Sequence, residues 1–316
     1  MCRLASLRIG ALVAAVLFLG AAPPAASGSP TPSALLQLLE AGNRVPYQGT
    51  QQIEMFPQGR RVCATATVAH MHRSTRTEIQ APARLRGMVI LERGRERLVR
   101  RPGEERWQAS PSVTILHPRY ILRNYTIAAA GSGQIAGQAA WIVPVRSRAT
   151  GKLARKLWLD RQTGVVLRAE HYSWASRLIY VTQFKSIDYT ARPAASQFEV
   201  PADQIVGESP LPAPPDPSAV PKPTYLPPGF RPVGKPQQVR MRRSTAIHLR
   251  YADGLNVLSA FIRKLAPGES PKRRPPSPSG DQPFSLAIHH VKGDLRITLI
   301  GDLNPVELRK MAESFE

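Results

Sequence analysis

Arg155-Lys156-Leu157-Trp158-Leu159-Asp160-Arg161-Gln162-Thr163-Gly164-Val165-Val166-Leu167-Arg168-Ala169-Glu170-His171-Tyr172 is the stretch that decides the fold. Leu157 and Leu159 alternate with Lys156, Trp158 and Asp160, the period of two that marks a strand with a buried face. Asp160 to Gly164 supplies the turn, with Gly164 where a positive φ is usual, and Val165 to Tyr172 returns. This spells a β-hairpin. Ala140–Val145 before it and Tyr180–Ile187 after it read as neighbouring strands. Upstream, Gln52-Ile53-Glu54-Met55 alternates. Arg61–Met71, Thr75–Ile79, Met88–Leu91 and Arg97–Arg100 are short strands between Gly or Pro turns. No long helical period interrupts Tyr47–Val200, so one curved antiparallel sheet with a few short helices is expected. A helix should precede it, with Ser33 as its cap, a stripe of Leu35, Leu36, Leu38 and Leu39, and Gly42 at its end.

Gly207–Pro223 carries seven prolines in seventeen residues, an extended polyproline-like linker. Beyond it Ile247–Tyr251 and Leu255–Ile262 flank Ala252-Asp253-Gly254, and Phe284–Val291 and Leu295–Ile300 flank Lys292-Gly293-Asp294, giving two hairpins. Between them Ala266–Pro283, with six prolines, reads as a loop. The chain closes on a helix that Asn304 caps, with Pro305 first, Glu307 completing a capping box, and Leu308, Met311, Ala312 and Phe315 as its apolar stripe.

The front of the chain has a different character. Arg3 and Arg8 precede a twelve-residue apolar run, Ile9–Gly20, followed by small and turn-forming residues. That is a secretory signal peptide over residues 1–28, too short to span a bilayer. The protein is therefore expected to be periplasmic or otherwise extracytoplasmic and soluble after its removal. Cys63 is then the single remaining cysteine, so stability must come from packed cores rather than an internal disulfide. The formal charge is +21. Removing Arg3 and Arg8 leaves 41 basic and 22 acidic residues, or +19. Such a field attracts anionic envelope components. Yet 34 of the 43 basic residues are Arg, which equally reads as a compositional bias. Export removes nucleic acid as a natural partner.

Catalytic constellations are missing from the sequence: no GxSxG, HExxH, phosphate-binding loop or paired CxxC occurs. Gly131, Gly133 and Gly137 have the wrong spacing for a dinucleotide loop and read as a loop only. Cys63, His70 and His72 offer three soft ligands without a zinc spacing and read as sheet residues. Adjacent His289 and His290 point to opposite strand faces. The protein is expected to be no enzyme, with neither a metal nor a cofactor.

Several segments resemble the MucB/RseB family of periplasmic regulators of envelope-stress sigma factors. In the first half they are Tyr47-Gln48-Gly49-Thr50, the run from Asn124-Tyr125 to Val145 with its Ala136-Gly137-Gln138-Ala139-Ala140-Trp141 segment, and Leu157–Asp160 continuing through Thr163–Arg168. In the second they are Leu226-Pro227-Pro228-Gly229-Phe230, Tyr251–Leu255 with Leu258–Phe261, and Gly301–Phe315. They follow the family's order over both halves of the chain. The resemblance implies an α+β, mainly antiparallel β protein. Residues 33–206 would form a LolA-like half-open β-barrel with short helices and an apolar concave face, joined by linker 207–223 to a smaller α+β domain over 224–316. It also implies envelope-stress regulation: binding the periplasmic part of a membrane-anchored anti-sigma factor, with lipid or lipopolysaccharide as the releasing ligand. A lipid or lipoprotein carrier using the same cavity is the alternative.

An incompletely closed apolar sheet leaves a face for acyl chains or a partner helix. The candidate lining residues are Ile53, Met55, Val89, Leu91, Leu157 and Leu159, with Trp107 and Trp141 nearby.

Overall fold

The structure, a computed structural model, describes residues 29–94, 96–111, 118–206, 216, 220–241, 244–265 and 286–316. The expected signal peptide, most of the proline-rich linker and the Ala266–Pro283 loop lie outside these residues.

The chain enters through helix α1 (Pro32–Gly42). Six strands then form a meander: β1 (Tyr47–Met55), β2 (Val62–Met71), β3 (Ser74–Ala81), β4 (Val89–Arg93), β5 (Glu96–Arg100) and β6 (Trp107–Pro111). Helix α2 (Pro118–Asn124) leads into β7 (Tyr125–Ile127), β8 (Ser132–Ile135), β9 (Gln138–Ser147), β10 (Leu153–Asp160), β11 (Val166–Tyr172), β12 (Leu178–Asp188) and β13 (Ile205–Val206). These strands make a single sheet in the order β13-β6-β5-β4-β3-β2-β1-β12-β11-β10-β9-β7, with β8 also on β9. Its two ends do not meet, so the barrel is half open. Among the described residues, only the two-residue β13 pairs in parallel, on β6, and the other pairings are antiparallel.

The decisive hairpin forms as read: β10 and β11 pair from Arg155 opposite His171 to Trp158 opposite Arg168, and Gly164 has φ +77°. Asp160, 2% exposed, organises the turn. Its carboxylate accepts from the Gln162 and Thr163 amides at 2.8 and 2.9 Å and from the Tyr189 hydroxyl at 2.9 Å. Gly133, expected in a loop, lies in β8 because β9 offers it a free edge.

A second, six-stranded sheet holds β14 (Arg231–Pro232), β15 (Gln237–Met241), β16 (Ser244–Ala252), β17 (Val257–Lys264), β18 (Leu286–Lys292) and β19 (Leu295–Gly301). Its order is β14-β16-β17-β19-β18, with β15 also on β16. Helix α3 (Pro305–Glu313) lays Leu308, Met311 and Ala312 against Leu258, Ile262, Ile297 and Leu299. Burying each large apolar side chain there contributes roughly 1.5–3 kcal/mol.

Helix starts needed tertiary context. Thr31, not Ser33, caps α1: its hydroxyl accepts from the Ala34 amide at 3.2 Å, and Pro32 takes the first position that suits its fixed φ and missing N–H. Asn304 caps α3 as expected, accepting from the Val306 amide at 3.0 Å. Glu307 does not complete a capping box; its carboxylate takes the Tyr225 hydroxyl instead, which the preceding segment brings over the helix.

Candidate functional site

Strand register decides which side chains share a face. Ile53, Thr182, Ala169, Leu157 and Val143 stand in one row across β1, β12, β11, β10 and β9. Met55, Tyr180, His171, Arg155 and Val145 form the next row. Cross-strand partners point to the same side of a pleated sheet, so both rows line the face that α1 and α2 cover. Between the helices and β9–β11 lies a hollow of about 340 Å³. Its walls are Leu35, Leu36 and Leu39 of α1, Ile121 of α2, Ile127 of β7, Val143 and Val145 of β9, Leu157 and Leu159 of β10, and Val166 and Ala169 of β11. Leu255, from the turn between β16 and β17 of the second sheet, completes the lining. That volume falls in the range of about 300–1,000 Å³ typical of small-molecule sites.

Of the eight lining residues expected from sequence, Leu157 and Leu159 line this hollow. Trp141, opposite Leu159, packs beside it with the Arg161 guanidinium 3.8 Å over its ring. Ile53 and Met55 are on the same face, further along the sheet, where Ile53 packs on Ala64, Ala66 and Ile79. Val89, Leu91 and Trp107 are on the opposite face, where Phe198 packs over them. Leu91 stands opposite Arg76, and Arg76 opposite Ala69, which fixes that side. Each strand shows its own alternation, but the register that makes one strand's inside another's outside is set only on pairing. The sequence reading missed the α1 leucines as lining, although their stripe was visible, and it missed Leu255.

Helix α1 closes over the sheet by direct backbone contact. A Cβ on Gly42 would come within 2.2 Å of the Gly164 carbonyl oxygen, and one on Gly164 within 1.8 Å of the Leu38 carbonyl oxygen. Two residues without side chains let helix and turn touch.

Two polar groups stand in the apolar wall. The Arg155 guanidinium donates to the Ala154 carbonyl at 2.8 Å and to Asn256 Oδ1 at 3.0 Å, both neutral acceptors. Desolvation lowers its pKa, opposed by the Tyr125, Asp302 and Asp253 fields. His171, paired across the ladder with Arg155, is pushed down to about 3 by burial and by that cation. The imidazole is therefore neutral in the folded protein at pH 7. It ordinarily titrates near 6.5, so between about 6.5 and 3 the unfolded chain binds more protons than the folded one. Stability from this site is full above that window and is lost as pH falls through it. Lowering pH from 6.5 to 5 is expected to cost about 1–2 kcal/mol here, read as a fall in urea midpoint. His171→Gln should flatten that dependence; an unchanged slope would refute the assignment. His248, pushed down to about 4 in the second sheet, adds a dependence of the same sign that this variant leaves in place.

The sheets meet through polar contacts beside the hollow. Asn124 Nδ2 donates to the carbonyls of Gly229 and Asp253 at 3.0 and 2.7 Å. The Tyr125 hydroxyl donates to Asp253 Oδ2 at 2.5 Å, and the Trp174 amide to Asp302 Oδ1 at 3.3 Å. Among the described residues no cluster of metal-ligating side chains occurs, and His70 is instead bonded to Thr75 and the Asn43 carbonyl. No described helix is long and apolar enough to cross a membrane.

Comparison with known proteins adds four findings. Residues 82–204 match the MucB/RseB N-terminal domain. The sigma factor AlgU regulatory protein MucB of Pseudomonas aeruginosa is 30% identical over 154 residues, which is 47% of this chain and 47% of that protein. The sequence match thus spans about half of that relative. A crystal structure of MucB in complex with MucA(peri) superposes with a TM-score of 0.62 at 21% identity, covering 90% of this chain and 98% of the other. The complex structure of Pseudomonas aeruginosa MucA/MucB gives 0.63 at 22% identity with the same coverage. Both sheets therefore have the fold of MucB.

Proposed function

We propose that the chain, whose residues 82–204 match the MucB/RseB N-terminal domain and which resembles the regulatory protein MucB, is a member of that family and an exported regulatory binding protein. In this reading residues 1–28 direct export, residues 33–206 and 224–316 act as two domains, and the protein holds the periplasmic part of a membrane-anchored anti-sigma factor while sensing a lipid. The relative crystallised with MucA(peri) supports the partner class. The observation that carries the sensing role is the hollow of about 340 Å³, apolar apart from Arg155 and His171. An acyl chain satisfies such walls, and a cation among them suits an anionic head. The second sheet's Leu255 in the lining favours sensing over ferrying, since a carrier gains nothing by tying its cargo site to another domain.

The test is titration of the mature protein with the periplasmic segment of the single-span anti-sigma factor from the same genome, with and without dodecanoate. Binding should occur without lipid and weaken with it, by the same factor that the partner weakens lipid binding. Leu157→Arg, which places a charge in the hollow, should reduce dodecanoate binding at least about tenfold while the partner still binds. Failure of any single-span partner to bind under every lipid condition sinks the regulatory reading.

A further inference from the structure

The turn between β16 and β17 has the chemical layout of an amphiphile. Asp253 Oδ1 closes it by accepting from the Leu255 and Asn256 amides at 2.9 and 2.8 Å. Gly254, at φ +108°, brings the turn so close to α2 that a Cβ there would lie 2.9 Å from the Ile121 nitrogen. The tip consequently sends an apolar side chain, Leu255, into the lining of the hollow. Its oxygen acceptors meet donors of the first half: Asn256 Oδ1 takes the Arg155 guanidinium, and Asp253 Oδ2 the Tyr125 hydroxyl. Tail and head are thus supplied by the protein itself.

We propose that the Asp253–Asn256 tip is a built-in occupant of the hollow, displaced by a single-chain acyl anion. The acyl tail takes the place of Leu255, and the anionic head takes the place of Asn256 on Arg155. Docking of the second sheet and occupancy of the hollow then exclude one another. This inference rests on the lipid-sensing reading and adds how that signal leaves the first sheet. Head and tip compete for one guanidinium, and a charged acceptor bonds it more strongly than the neutral amide it replaces. A fractionally available site binds with an affinity reduced by the open fraction, so loosening the tip must tighten ligand binding.

The experiment measures equilibrium binding of dodecanoate, dodecyl phosphate and dodecanol to the full mature chain and to Tyr125→Phe, which removes the hydroxyl held by Asp253. Amide hydrogen exchange at Trp174, whose N–H bonds Asp302 just after β19, reports undocking. Tyr125→Phe is expected to bind both anions about tenfold more tightly than the wild type, the size of one hydrogen bond to a charged group. Dodecanoate should speed Trp174 exchange in the wild type. Arg155→Gln should erase the preference for the anions over dodecanol. A preference between carboxylate and phosphate identifies the head group, and either one supports the proposal. Should Tyr125→Phe fold poorly, Asn124→Ala removes two other inter-sheet bonds to the same end. Equal affinity of wild type and loosened variant, or anion binding that leaves Trp174 exchange unchanged, overturns the built-in occupant while lipid binding stands. If no probe binds either protein, the lipid-sensing reading falls and takes this inference with it.

Discussion

Gly164→Val is expected to destabilise the protein by at least about 4 kcal/mol, lowering its melting temperature by roughly 8–16 °C. Gly164 has φ +77°, a region where a β-branched residue is strained by about 1–3 kcal/mol. The steric term is larger. The first carbon of any side chain would sit 1.8 Å from the Leu38 carbonyl oxygen, which belongs to the α1 backbone and cannot rotate away. Helix α1 would have to lift, uncovering Leu35 and Leu36, which are 1% and 7% exposed over the hollow. Their burial contributes roughly 1.5–3 kcal/mol each. Gly164→Ala meets the same oxygen and should lose nearly as much. Thermal unfolding followed by circular dichroism decides the matter: a melting temperature within about 3 °C of wild type would show that α1 is not held by this contact.

Asp253→Ala should cost about 3–5 kcal/mol, concentrated in the second sheet and its docking. The carboxylate is 6% exposed and accepts four hydrogen bonds: two from amides of its own turn, one from Asn256 Nδ2 at 3.1 Å, and one from Tyr125. Alanine leaves those donors buried without an acceptor, at about 1–3 kcal/mol for a group that finds no water. Limited proteolysis should cut the β16–β17 turn in the variant before the first sheet is touched. Simultaneous loss of both sheets, or no loss at all, would contradict a local role for this carboxylate.

Where the reading succeeded, its cues were local. The β10–β11 hairpin, the two hairpins of the second sheet and the Asn304-Pro305 helix start each rest on residues a few positions apart. The apolar hollow was half legible for the same reason. Leu157 and Leu159 declare a buried face, but nothing in Val89-Ile90-Leu91 states which side of the sheet that strand's leucine will take. Glu307 illustrates the limit at a single residue, since its spacing from Asn304 fits a capping box while Tyr225 offers the hydrogen bond it makes.

The sequence by itself determined the antiparallel strands and the two hairpin-built halves, because alternation, turn glycines and caps act over a few residues. Only the tertiary structure decided which apolar residues share the hollow, why Gly42 and Gly164 must lack side chains, and that Leu255 reaches a lining about a hundred residues away in sequence. Register and docking are set by packing among distant segments, and no local pattern encodes them.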